Sequence, residues 1–119
     1  MKRVIVITGA SSGIGAALAE LLGQKGARLV LAARREHELS KVAARAGAEA
    51  QAITADVTRR SDVERIAAEC LARFGRIDVW INNAGRGISR SVLELSEQDD
   101  QTRLRRMAEA ERNPPFFQP

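Results

Sequence analysis

Residues Gly9, Gly13 and Gly15, with Ser11 and Ser12 between them, follow directly on the apolar run Val4-Ile5-Val6-Ile7. The spacing is G-x-x-x-G-x-G, and each residue type in it has a use at an anion site. A glycine in a tight turn lets the backbone approach a diphosphate that a Cβ would hold off, and a later glycine lets the next helix lie close to the strand. The first turn of such a helix presents unpaired N–H groups and a partial positive charge. Ser11 and Ser12 add hydroxyl donors. A strand-to-helix turn that binds nothing can use the same glycines, so the choice falls to residues further along the chain.

In a dinucleotide-binding fold, the position about 20 residues beyond the glycines meets the adenosine ribose. Here the chain reads Leu31-Ala32-Ala33-Arg34-Arg35, with no acid before Glu36. An acid at this point favours NAD, whereas an arginine accommodates the additional 2′-phosphate of NADP. A guanidinium can grip a phosphate through two parallel hydrogen bonds. NADP is therefore expected in preference to NAD, with Arg34 the nearer contact and Arg35 beside it. Two solvated arginines at a helix start are the plain alternative.

The elements that must position these residues alternate. Residues 4–7 lack polar alternation and read as a strand buried on both faces. From Gly13 the period becomes helical, with Ile14, Leu18, Leu21 and Leu22 on one face and Gly23 and Gly26 at the end. Residues 29–32 form a second strand, 36–46 a short helix stopped by Gly47, and 50–54 a weaker third strand. Ser61 and Glu64 have capping-box spacing ahead of Val63, Ile66, Ala67, Cys70, Leu71 and Phe74, an apolar stripe that runs to Gly75. Residues 77–81 make a fourth strand. The order predicts an α/β fold, a parallel sheet of about four strands flanked by helices.

Thr8-Gly9-Ala10-Ser11-Ser12-Gly13-Ile14-Gly15, then Asp56-Val57 after the third strand, then Asn82-Asn83-Ala84-Gly85 after the fourth, resembles the short-chain dehydrogenase/reductase family. The three motifs stand in the family's order, each at a strand's carboxyl end, and the resemblance covers about residues 2–99. It implies a partial Rossmann fold and a nicotinamide dinucleotide held by Gly9, Ser11, Ser12, Gly13, Ile14 and Gly15. It further implies that Asp56 accepts from the adenine amino group, with the Val57 backbone beside it. Asn82 then steadies the central sheet, and Ala84 and Gly85 lie along the cofactor. Read without the family, Asp56 is a turn acid and Asn82-Asn83 an ordinary loop.

Members of this family work with a serine, a Tyr-x-x-x-Lys pair and an asparagine. The tyrosine serves as general acid or base, helped by the lysine. This chain has no tyrosine, and its lysines are Lys2, Lys25 and Lys41. Where the asparagine is expected, the chain reads Arg105-Arg106-Met107-Ala108, and Asn113 stands before two prolines out of family context. No catalytic residue is assigned.

Residues 1–99 are thus expected to form the NAD(P)-binding Rossmann half, and 100–119 a divergent polar helix and Pro-rich tail. On this reading the chain is a truncated oxidoreductase, inactive alone, whose first four strands stand in the spatial order 3-2-1-4. The fourth strand, with Trp80 and Ile81, becomes an unpaired apolar edge open to self-association or to a relative. A nucleotide-binding or partner-binding module without chemistry is the alternative.

Composition narrows the remaining classes. The 119 residues suit one domain, and the net charge of +4 comes from 16 arginines interleaved with 15 acids. Scattered charge of this kind favours a solvated surface over a nucleic-acid face. Cys70, the one cysteine, cannot form an internal disulfide, and Thr8 and Gly9 cut the first apolar run short of a signal peptide. A cytoplasmic protein with no membrane partner is expected. His37 stands alone on a charged helix, and no cluster has metal-ligand spacing.

Overall fold

The computed structural model describes residues 2–83 and the backbone of 91–94. Its elements are β1 (Val4–Thr8), α1 (Gly13–Gln24), β2 (Arg28–Ala33), α2 (Glu36–Ala46), β3 (Ala50–Thr54), α3 (Arg60–Phe74), β4 (Val79–Asn82) and β5 (Ser91–Glu94). The sheet order is β3-β2-β1-β4-β5. The first four strands pair in parallel, with Val6 opposite both Val30 and Trp80, and Val30 opposite Gln51.

The strand period of two divides the core into two layers. Ile5 and Ile7 of β1 join Leu29, Leu31 and Val79 beneath α1 and α2. Val4 and Val6 join Val30, Ala32 and Ile53 beneath Ile66, Ala67, Cys70 and Leu71 of α3. All five β1 residues are buried, as a strand covered on both faces requires. At the edge of the sheet, β3 buries only Ile53 fully, which accounts for its weaker apolar signal.

Five expectations are corrected, in whole or in part. On α1, Leu18 and Leu22 pack against the core as expected, but the fully buried residues are Gly15, Ala16 and Ala19, while Ile14 and Leu21 are 62% and 50% exposed. Small residues win that face because α1 approaches both the β1 turn and α2 closely: a Cβ on Gly23 would stand 2.0 Å from the Ala46 carbonyl oxygen. Gly23 is therefore a contact within α1, not its terminator.

Ser61 does not cap α3. The helix starts one residue before it, with Arg59 in the capping position and no side-chain cap bond. The chain enters through a turn in which the Arg59 N–H donates to the Asp56 carbonyl at 3.0 Å, while Asp62 of the first helical turn accepts the Asp56 N–H at 2.7 Å. Glu64 is instead buried, taking Arg60 Nε on one oxygen at 2.8 Å.

The fourth strand starts at Val79, later than expected; Asp78 before it accepts the buried Val4 N–H on its carboxylate at 2.8 Å, pairs with Arg76 and donates its own N–H to the Val4 carbonyl at 2.9 Å. Nor is β4 an unpaired edge: β5 pairs with it antiparallel, Trp80 opposite Leu93. The exposed edge expected to drive self-association is therefore covered. The tail 100–119, with its polar helix, and residues Ala84 and Gly85 lie outside the described residues.

Candidate functional site

The carboxyl ends of β1, β2 and β3 open on one cleft of about 260 Å³. Its walls are Gly9, Ser11 and Ser12 from the β1–α1 turn, Ala33, Arg34 and Arg35 from the end of β2, and Ala55, Asp56, Val57 and Thr58 after β3. Seven of the residues expected from sequence thus share one surface: Gly9, Ser11, Ser12, Arg34, Arg35, Asp56 and Val57. A crevice outside the strand ends is where open α/β sheets take ligands. A larger groove, lined by Lys2, Arg3 and Lys25 among others, lies at the opposite end of the strands and contains none of them.

The turn is held open by backbone geometry. Gly9 and Gly13 have φ of 66° and 60°, the left-handed region that glycine occupies without strain. The Ala10 N–H donates to the Ala32 carbonyl at 3.2 Å, fixing the turn against β2. Ser12 precedes α1 in extended conformation and makes no side-chain capping bond. Its hydroxyl and the first N–H groups of α1, on Gly13, Ile14 and Gly15, stay available to a ligand. These three helical residues and Asn82 adjoin the cleft's elements without lining it.

Asn82 sits at the end of β4, its Oδ1 accepting the Thr8 hydroxyl at 2.9 Å. The neighbouring Asn83 was not foreseen as a site residue, yet it reaches the glycine turn itself. Its N–H donates to Thr8 Oγ1 at 3.1 Å and its Nδ2 to the Gly9 carbonyl at 3.2 Å. Its Oδ1 is buried with no partner among the described residues. The second of two adjacent asparagines at a strand end was the available signal.

Thr58 was also missed. Its N–H and hydroxyl both donate to Asp56 Oδ1, at 3.0 and 2.6 Å. These bonds, the hydroxyl's first, hold the Asp56 carboxyl below its usual range, and the charges of Arg34 and Arg59 act in the same direction. An Asp-x-Thr turn is legible in sequence, since side chains of these types commonly bond the backbone two residues on. Asp56 is thereby anchored, with Oδ2 unclaimed by Thr58.

His37 is exposed, and Cys70 is buried beneath α3. Among the described residues no group of histidine, cysteine and carboxylates could hold a metal, and no helix is long and apolar enough to cross a membrane.

A family model described as short chain dehydrogenase matches residues 3–109. An uncharacterized oxidoreductase of Staphylococcus epidermidis is 36% identical over 103 residues, a span of 87% of this chain and 45% of that protein. A metagenomic short-chain oxidoreductase solved in complex with NADP superposes with a TM-score of 0.67 and 44% identity, over 71% of this chain and 40% of that one. A short chain dehydrogenase/reductase of Burkholderia phymatum, solved in complex with NAD, gives 0.62 and 37%, over 64% of this chain and 28% of that one. The chain thus spans less than half the length of each of these relatives.

Proposed function

Because the chain belongs to the short-chain dehydrogenase family, we propose that its cleft holds NADP in preference to NAD and serves an oxidoreductase. The observation that carries this reading is the convergence of Ser11 and Ser12, Arg34 and Arg35, and Asp56 and Val57 on one cleft at the strand ends. The cradle suits a dinucleotide. A Cβ at Gly15 would strike the Gly9 carbonyl, so the helix can meet the turn only without one. The open hydroxyl of Ser12 and the α1 N–H groups suit a pyrophosphate.

In this reading Gly9, Gly13 and Gly15 shape the pyrophosphate seat, Ser11 and Ser12 donate to it, and the Ile14 N–H faces it. Arg34, with Arg35 beside it, takes the ribose phosphate. Asp56 accepts from the adenine amino group alongside the Val57 backbone, and Asn82 ties β4 to β1. When bound, the cofactor would supply hydride transfer, the reduced form giving hydride to a carbonyl carbon or the oxidised form taking it from an alcohol carbon. The 119 residues contain no tyrosine to move the accompanying proton. The chain by itself therefore binds cofactor without turnover.

Titration with NADPH and NADH tests the cofactor, using the wild type and Arg34→Ala. NADPH is expected to bind more tightly and to raise the melting temperature, as ligand linkage requires. A preference for NADPH that survives Arg34→Ala overturns the role of Arg34. Reduction of any carbonyl in a broad panel, abolished by Gly13→Val, overturns the absence of turnover.

A further inference from the structure

At one end of the sheet β3 pairs with β2 alone. The Leu29 N–H donates to the Glu49 carbonyl and the Ala55 N–H to the Ala33 carbonyl, so residues 49, 51, 53 and 55 turn their backbone groups toward β2. The intervening residues Ala48, Ala50, Ala52 and Thr54 therefore turn theirs outward. A row of open N–H and C=O groups is a template for another strand, and proteins commonly blunt it with a charge or a proline on the edge itself. Strand β3, Ala50-Gln51-Ala52-Ile53-Thr54, carries neither.

Two arginines of α3 supply the charge instead. At the carboxyl end of β3, Arg65 donates through Nη2 to the outward Thr54 carbonyl at 2.8 Å. At its amino end, Arg73 places Nη2 3.5 Å from the outward Ala48 carbonyl and Nη1 3.4 Å from Gln51 Oε1, while the Ala50 N–H is taken by the Gly47 carbonyl at 3.2 Å. Both guanidinium groups are themselves held in place: Arg65 by Glu69 at 3.2 Å and Asp62 at 3.6 Å, and Arg73 over the Phe74 ring, 5.0 Å from its centroid. Only the groups between Ala50 C=O and Thr54 N–H stay open, a shorter row than the usual strand of about five residues uses.

We propose that Arg65 and Arg73 guard the β3 edge against pairing with β3 of a second copy of this chain. Two such edges related by a two-fold axis meet antiparallel, each offering the other the same row of groups. Pairing along the full strand must first strip both arginines from both copies. It also brings Arg65 of one copy toward Arg73 of the other, like charges across the seam. The guard is independent of what the cleft holds.

Sedimentation velocity over a range of concentrations tests it on the intact 119-residue chain. Wild type is compared with Arg65→Gln, Arg73→Gln, the double variant, and a control of equal charge loss, Lys25→Gln with Arg45→Gln. The double variant should self-associate at least about tenfold more tightly than wild type. Arg65→Gln should account for more of this than Arg73→Gln, because its contact is the shorter. Ala52→Lys places a charge at the exposed middle of the edge, and added to the double variant it should restore wild-type behaviour. Unchanged association in a double variant with the circular dichroism of wild type overturns the proposal. So does equal tightening in the control, or association that Ala52→Lys leaves in place. If the double variant does not fold, the single variants at higher concentration decide by the same outcomes.

Discussion

Gly15 lies so close to the carbonyl of Gly9 that a β-carbon at position 15 would stand 2.3 Å from that oxygen and 2.6 Å from the Asn83 amide nitrogen. The turn after β1 and the first turn of α1, adjacent in sequence, therefore meet the residue after β4, 74 positions from Gly9, at one point. The Asn83 bond to Gly9 is made across the gap that the missing side chain leaves.

Gly15→Ala should consequently do two things at once. It forces backbone to move, at an expected cost of about 1–3 kcal/mol in denaturant unfolding. It also breaks the Asn83–Gly9 bond and displaces the first N–H groups of α1. NADPH affinity should fall along with stability, read by titration of the folded fraction. Full retention of both would mean that the turn tolerates a helix set further away.

A similar contact at the other end of α1 separates stability from binding. A Cβ on Gly23 would meet the Ala46 carbonyl oxygen at 2.0 Å and its carbon at 2.9 Å, which pushes α1 from α2. Gly23→Ala should lower stability by about 1–3 kcal/mol. The cleft lies at the opposite end of the helix, so NADPH affinity of the folded protein should hold. Intrinsic helix propensity alone predicts the reverse sign for stability, since alanine favours helix over glycine.

These glycines explain which parts of the fold were legible in sequence. The β1 and β2 segments carry unbroken apolar runs and α2 a helical period ended by Gly47, and their bounds, like those of the weaker β3, follow to within a residue or so. The α1 face follows only in part: Leu18 and Leu22 pack on the core, but hydrophobicity also points to Ile14 and Leu21 whereas close approach selects Gly15, Ala16 and Ala19. Periodicity weighs apolar surface and is blind to the distance between elements. The start of α3 escaped for a related reason: Ser61 and Glu64 fit a local capping pattern, but the chain arrives through a turn organised by Asp56 and Asp62. Seven expected site residues line the cleft because glycine, arginine and aspartate identities carry chemistry directly. Asn83 and Thr58 act through neighbours, which residue identity alone does not display.

Thr58 offers a prediction with a definite pH sign. Its hydroxyl and N–H keep the Asp56 carboxyl below the ordinary value of 3.8 in the folded protein. A depressed carboxyl contributes stability that is fully present above the unfolded value and fades as pH falls through the folded one. Thr58→Val removes the hydroxyl bond and raises the Asp56 value toward normal. The melting temperature of Thr58→Val should therefore lie below wild type at pH 5–7, and the two should converge as the solution is acidified below 3.8. Thr58→Ser, which keeps the hydroxyl, should match wild type and close the gap. A difference independent of pH would show that the methyl group's packing, not the bond to Asp56, is what Thr58 supplies.

Cys70 gives the opposite sign at the alkaline end. Burial beneath α3 pushes its thiol up to about 12, with the charge of Asp78 adding to the effect. The folded protein keeps the proton that the unfolded chain releases near 9. Stability is therefore unaffected by this group below that range and declines as pH rises through it, by about 1.4 kcal/mol per unit in the limit. Cys70→Ala should start from a lower stability, because it vacates core volume, yet show a shallower alkaline decline. The native thiol should resist alkylation at pH 8 and react on unfolding, since the thiolate is the nucleophile. Rapid labelling of folded protein at that pH would mean that α3 opens locally often enough to expose its inner face.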